Sequence, residues 1–259
     1  MKNTSTQPNA VAAAAAHLSD ALVSLCCDTS LQYLKLGTEE ESLDFLEIEA
    51  IVKLQPKGVF SVAKIGGPCA RGDIRQAQRL GVQGIVGPMV ESVYALQRFV
   101  AAVDAYFGPD ESIRRGINIE TYQAFEVLPE LLADPSAKRL SFINIGRSDL
   151  AGSMNASVGD PEVRDVVCSI VEQVRAAGIP VYIGGRVTSA TLQPVLDRVS
   201  IDGFHTRFLA FKGPVENVDS VVVRALETEI LLLQYLAALF PHRADEHLSR
   251  VQETARRLG

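Results

Sequence analysis

Two acidic residues carry the first chemical signal. Glu120 ends the run "RRGINIET" (114–121), and Asp149 follows the run "FINIG" within "FINIGRSDLAGS" (142–153). Both runs read as short apolar strands, and a carboxylate at the end of such a strand is costly unless it works or pairs. If the two strands are parallel neighbours, about 4.8 Å apart, their carboxylates can grip one divalent cation. Few protein ligands, all oxygen, with water and substrate filling the shell, suit Mg²⁺ or Mn²⁺. The plain alternative pairs Glu120 with a lysine or arginine and uses Asp149 to cap the turn before Leu150.

Cations stand at comparable positions. Lys64 lies inside the apolar run "VFSVAKIGG" (59–67). It is either a buried ion-pair partner or a functional cation that holds a carboxylate, steadies an enolate or forms a Schiff base. Lys35 offers the same options unless it faces outward. "TEEE" (38–41) fits a capping box with Thr38 as cap and Glu41 three residues on. "GGRVTSAT" (184–191) opens a helix, where backbone amides favour an anion and where a plain cap at Thr188 or Ser189 serves equally. Arg147, Arg186 and Arg207 also fall at strand ends. His205 ends a strand, with a structural role favoured; His17, His242 and His247 fall in polar helical stretches and carry no catalytic expectation.

The elements that must position these residues alternate from residue 31 onward. Strands are expected over 31–37, 59–67, 84–90, 114–121, 140–146, 180–185 and 203–211. Helices are expected over 39–54, to about 80, 91–106, 122–133, 161–177 and 189–197, with a loop after 146 and two helices closing the chain. Repeated β–α units mean a parallel sheet. Seven such units point to an α/β fold of the TIM (β/α)8-barrel type, with the eighth strand missing or hidden near the N-terminus. No Gly-x-Gly-x-x-Gly follows the first strand, which weakens an open dinucleotide-binding sheet. Active sites of such barrels lie at the carboxyl ends of the strands, where the residues above collect. One domain is expected over 1–259, with a barrel core at about 31–212 and a helical segment at about 215–259.

Composition sets the boundaries. The length of 259 residues suits one barrel. The net charge of −6 excludes a general nucleic-acid binder, which would show a basic face. Cys26, Cys27, Cys69 and Cys168 have neither metal-ligand nor disulfide spacing, so a reducing, cytoplasmic setting is expected. His17, Ser19 and Asp20 interrupt the alanine-rich N-terminus, while Val11, Leu18, Leu22 and Leu25 share a helix face, so a folded helix is expected rather than a signal peptide. "ILLLQYLAALF" (230–240) is too short to cross a bilayer, and no membrane partner is expected. Its apolar surface predicts self-association into a homo-oligomer.

Three segments together resemble the HpcH/HpaI aldolase and citrate lyase family: "GVQGIVGPMVES" (81–92), "INIETYQAFEVLPELLA" (117–133) and "FINIGRSDLAGSM" (142–154). The resemblance implies a phosphoenolpyruvate/pyruvate-type barrel that makes or breaks carbon–carbon bonds beside a 2-oxo acid, with Mg²⁺ or Mn²⁺ held by Glu120 and Asp149. It implies catalytic roles for Lys64, Glu120 and Asp149. Backbone amides around Gly146, Ser148 and Asp149 are candidates to fix the carboxylate of a small 2-oxo acid such as pyruvate or oxaloacetate, and Arg147, Arg186 and Arg207 are unranked candidates for its far end. Three positions depart from what the resemblance implies: Lys64 stands where an arginine is usual, "KLGTEEES" lacks the Glu-His pair of the aldolase branch, and His205 stands where an acidic residue is expected. The missing pair leaves an acid among Glu39–Glu41, or a water, to carry protons. The alternatives are a Claisen-type citrate-synthase-like or citryl-lyase-like enzyme, a Schiff-base aldolase using Lys64 or Lys35, and a non-catalytic carboxylate-binding barrel.

Overall fold

Parallel strands need crossover connections, and this chain supplies a helical one after each of its first six strands. The computed structural model describes residues 6–109, 112–213 and 217–258. The strands are β1 (Leu31–Gly37), β2 (Phe60–Lys64), β3 (Gly84–Gly87), β4 (Arg114–Ile119), β5 (Phe142–Gly146), β6 (Val181–Gly184), β7 (Gly203–His205) and β8 (Leu209–Lys212). They close into a barrel in sequential order. Helix α1 (Thr6–Asp28) precedes the barrel. Around and between the strands run α2 (Phe45–Val52), α3 (Arg71–Arg79), α4 (Val93–Phe107), α5 (Tyr122–Glu126), α6 (Leu128–Ala133), α7 (Arg147–Ser153), α8 (Pro161–Ala176) and α9 (Ser189–Leu196). Helices α10 (Val218–Leu239) and α11 (Ala244–Ala255) follow.

The TIM-type barrel expected from the alternation is therefore present, but its eighth strand is not near the N-terminus. The run 203–211 is two strands, β7 and β8, joined by a turn at 206–208, and β8 lies antiparallel to both β7 and β1. A turn this short cannot return the chain parallel. Glu229 of α10 pins it, accepting from the Thr206 hydroxyl and the Phe208 amide at 2.6 Å each.

Other boundaries shift for local reasons. The first crossover helix starts at 45, not 39, because Asp44 and Glu47 form the capping box. Thr38 is not a cap: its hydroxyl donates to Asp73 at 2.7 Å. The helix expected over 122–133 is broken at Val127 into α5 and α6, with Pro129 in the first turn of the second. The loop expected after 146 is helix α7.

Alternation decides what faces the barrel interior. Tyr33, Val62, Val86, Phe142, Tyr182 and Ala210 form one cluster inside the barrel, separate from the larger core between strands and helices. One step further toward the carboxyl ends, the same inward phase carries Lys35, Lys64, Asn118, Asn144, Gly184 and His205. The interior thus changes from aromatic and aliphatic to polar along its length.

The terminal helices close over one side. Leu18, Leu22 and Leu25 of α1 are buried, and α1 packs on α10. By length and composition alone α1 could cross a membrane. Leu232, Leu233 and Leu236 of α10 are fully buried within the chain, so much of the apolar surface behind the expected self-association is already covered. Helix α11 is fastened through Glu47, which accepts from Arg243 and from His247 Nε2, each at 2.5 Å. His247 is fully buried, and its role here is to fasten α11 to α2.

Candidate active site

A cavity of about 650 Å³ opens at the carboxyl ends of the parallel strands. Its walls include Lys35, Lys64, Glu120, Asp149, Ser148 and His205. The C-terminal helices contribute Val222, Leu226, Glu253 and Arg257, so α10 and α11 form part of the enclosure.

Glu120 leaves the end of β4 and is buried. Its Oε1 accepts from the Met89 amide at 3.0 Å and its Oε2 from Asn118 Nδ2 at 2.9 Å. Met89 presents that amide from a left-handed conformation, φ 50°, a strained choice for a non-glycine residue. The chain of bonds continues inward: Asn144 Nδ2 donates to Asn118 Oδ1 at 3.2 Å, and the Tyr33 hydroxyl donates to Asn144 Oδ1 at 3.3 Å. Burial raises the Tyr33 phenol well above its ordinary value, so it remains a donor. Each Glu120 oxygen keeps a further lone pair for another ligand.

Asp149 sits in the first turn of α7 with its side chain open to the cavity. Burial raises the Glu120 carboxyl above its ordinary range, the Asp149 charge adds to this, and Lys64 and the two hydrogen bonds only partly oppose it. The Asp149 carboxyl is also raised, by partial desolvation and by Glu40 and Glu39, against Lys64 and Lys35. Two carboxylates raised in this way are a donor set that a divalent cation would relieve. Among the described residues no group of three or more His, Cys, Asp or Glu side chains is arranged to hold a metal. A cation here would take few protein ligands, as Mg²⁺ commonly does.

The two lysines both point inward and both are paired. Lys64 Nζ lies 2.8 Å from Glu39 Oε2, and Lys35 Nζ lies 2.6 Å from Glu41 Oε1. Burial alone would lower the Lys64 pKa, but Glu120, Glu39 and Glu41 outweigh it and raise the value. Lys64 therefore carries its charge through neutral pH. Glu41 is pushed up by burial and pulled down further by Lys35 and Lys64, so it is ionised. The "TEEE" stretch is thus a partner loop for the lysines rather than a helix cap.

The arginines separate into different roles. Arg147 was expected to meet substrate; instead its guanidinium is buried and donates to the carbonyls of Gly184, Gly185 and Thr191 at 3.1, 2.8 and 2.6 Å. It ties α7 to the β6–α9 connection, because a rigid fork can bridge several carbonyls at once. Arg186 and Arg207 do line the cavity, and Arg207 lies 3.3 Å from Glu253 of α11. Gly146 and Ser148 line it as well. Thr188 caps α9 with Thr191, the plainer of the two readings of that segment.

The sequence profile of the HpcH/HpaI aldolase/citrate lyase family matches residues 47–202, well over half of the chain. The chain belongs to that family. Solved structures share the fold of this HpcH/HpaI protein. A family protein from Burkholderia cenocepacia superposes with a TM-score of 0.58 at 13% identity, covering 73% of this chain and 82% of that one. An HpcH/HpaI aldolase from Desulfitobacterium hafniense gives 0.57 at 17%, covering 70% and 78%. The citrate synthase SbnG gives 0.58 at 16%, covering 74% and 81%. A search of curated proteins finds no match by sequence.

Several residues of this HpcH/HpaI site escaped sequence reasoning. Asn118 and Asn144 face each other in register across β4 and β5. Their signal was present as two asparagines in phase with Glu120 and Gly146, but it needed the strand pairing to be read. Glu253 and Arg257 lie more than a hundred residues beyond the acidic pair, and only the packing of α11 brings them to the cavity.

Proposed function

We propose that this protein is a carbon–carbon lyase or aldolase that forms the enolate of a small 2-oxo acid, pyruvate or oxaloacetate, with Mg²⁺ or Mn²⁺. The observation that carries this reading is the pair Glu120 and Asp149 at the ends of adjacent strands, facing the protonated Lys64. A bound divalent cation would supply Lewis acidity to the carboxylate and keto oxygens of the substrate. Glu120 and Asp149 would hold that cation, and the Met89 amide and Asn118 keep the Glu120 carboxylate oriented. Lys64 places a fixed positive charge beside the carboxylates, where enolate charge would develop. Its retained proton suits that role and disfavours the neutral amine a Schiff base requires. Ser148, Arg186 and Arg207 remain available for the rest of the substrate.

The test is proton–deuterium exchange at C3 of pyruvate and of oxaloacetate, with and without Mg²⁺ or Mn²⁺. Metal-dependent exchange that disappears in Glu120→Gln is the expected result. Exchange that persists without metal, accompanied by borohydride trapping of a lysine, would sink the metal reading in favour of a Schiff base.

A further inference from the structure

The connection between β1 and α2, residues 38–44, puts three consecutive acids at the barrel mouth. Adjacent like charges repel, so this run does not hold its own shape. Its inner side rests on the lysines: Glu39 reaches Lys64 and Glu41 reaches Lys35. The Glu41 carboxylate lies over Gly37, where any Cβ would strike it. Ser42 turns the chain in a left-handed conformation, φ 49°, which a non-glycine residue keeps only where its surroundings fix it.

What fixes the run from outside is α11. Arg250 donates from Nη1 to the Glu41 carbonyl, and its Nη2 lies 3.5 Å from the Glu40 carbonyl. Arg243, just ahead of the helix, donates from Nη2 to the Ser42 carbonyl at 2.6 Å. Two guanidinium groups thus take three successive carbonyls of the acidic run. Glu246 braces both, 2.7 Å from Arg243 and 3.3 Å from Arg250. Arg243, His247 and Arg250 are spaced four and three apart, so they share one helix face. That face is polar, whereas a surface helix ordinarily docks by an apolar stripe. Within α11 itself His247 and Thr254 are the buried residues, and Leu248 is exposed. Neither the acidic run nor α11 falls within residues 47–202, which match the family.

We infer that Arg250, with Arg243 beside it, is a positioning residue: by gripping the carbonyls of residues 40–42 it keeps Glu39 and Glu41 on Lys64 and Lys35. This inference rests on the proposed role of Lys64 and adds what sets that lysine in place. Both lysines are buried, and a buried ammonium stays put only with a fixed partner. The Glu39 side chain is 38% exposed, so without the grip it would turn to water and leave Lys64. The placement of the lysines is felt across the mouth as well. Burial first, then the Lys35 and Lys64 charges, push the His205 imidazole down to about 3, against the Thr206 carbonyl and Glu41. Arg250 does not line the cavity, so its influence passes through the acidic run.

The experiment is labelling of lysines with acetic anhydride on the full chain without substrate, read by mass spectrometry, with the exposed Lys57 as internal reference. In the wild-type protein Lys35 and Lys64 are expected to label at least about 10-fold more slowly than Lys57. Arg250→Met should speed the labelling of both by about 10-fold and leave Lys57 unchanged. Arg250→Lys, a point donor in place of a planar fork, should fall between the two, and it carries the test if the methionine variant does not fold. Gln252→Ala, on an exposed side of the same helix, should label as the parent does. Equal labelling of all three lysines in the wild-type protein overturns the inference. So does labelling that is unmoved in the folded Arg250 variants, or that rises equally at Lys57 or in Gln252→Ala. Metal-dependent pyruvate exchange on the same samples should lose about 10-fold in kcat with KM little changed, since a misplaced charge is felt where the enolate forms. A raised KM with kcat kept would make Arg250 a substrate-binding residue and overturn the positioning role. Absence of exchange in the wild-type protein removes the enolate reading and leaves the labelling result standing; unmoved labelling with normal exchange removes the grip alone.

Discussion

Gly146 and Glu120 share the same few ångströms at the ends of adjacent strands: a Cβ on residue 146 would lie 2.7 Å from Glu120 Cβ and 2.9 Å from its Oε2. The glycine is therefore part of the carboxylate's cradle. Gly146→Ala is expected to displace Glu120, weaken Mg²⁺ or Mn²⁺ binding at least about 10-fold, and cost about 1–3 kcal/mol of stability through overpacking. Metal titration together with a denaturation curve checks both. A variant that binds metal as the parent does would show that the glycine is not needed to place Glu120.

Asn118 hands one hydrogen bond to Glu120 and receives one from Asn144. Asn118→Leu removes the first and strands the second, at a cost of about 1–3 kcal/mol. Its loss should also raise the Glu120 carboxyl further, since that bond is among the influences holding it down. Metal binding measured against pH should then show its midpoint at higher pH than in the parent. An unmoved midpoint would mean that Asn118 is only a packing residue.

Metal binding in the unaltered protein should weaken as pH falls. Protons compete for Glu120 and Asp149, and both are raised above the ordinary carboxylate range, so the loss should begin above that range. Lys64, raised as well, should keep its charge throughout the same window. Titrations at a series of pH values between neutral and acidic test this. A profile flat down to the ordinary carboxylate range would contradict it.

His205 should make the fold sensitive to acid. Its folded pKa is pushed down to about 3, whereas a histidine in the unfolded chain titrates near ~6.5. Between those values the unfolded chain binds the additional proton, so stability falls as pH falls, by up to about 1.4 kcal/mol per pH unit. His205→Gln should flatten that part of the stability–pH curve, as read from denaturant midpoints at neutral pH and in mild acid. An identical slope in both proteins would locate the acid sensitivity elsewhere.

Arg147 holds the β6–α9 connection through the Gly184, Gly185 and Thr191 carbonyls. Arg147→Met should cost about 2–4 kcal/mol by leaving buried acceptors unmet. Lysine should recover little, because a point ammonium cannot span carbonyls that a planar fork reaches together. Thermal unfolding of the two variants provides the comparison.

The periodicity of the sequence was enough to determine the α/β alternation, the barrel class and the two strands that deliver Glu120 and Asp149. Those features depend on local apolar runs and on residues close to their ends. The antiparallel β8 was not legible, because "GFHTRFLAF" reads as one apolar strand until Glu229, from a distant helix, fixes a turn within it. The role of Arg147 was misread for a similar reason: its type suggested substrate, and its direction is decided by carbonyls nearly forty residues away. Asn118, Asn144, His247 and the α11 side of the cavity likewise depend on contacts between segments remote in the chain. Sequence by itself determined which chemical groups lie at the strand ends, since strand alternation is local. Tertiary structure decided which of those groups face one another and which are consumed in holding the fold, because a buried polar side chain must satisfy its bonds wherever closure of the barrel brings a partner.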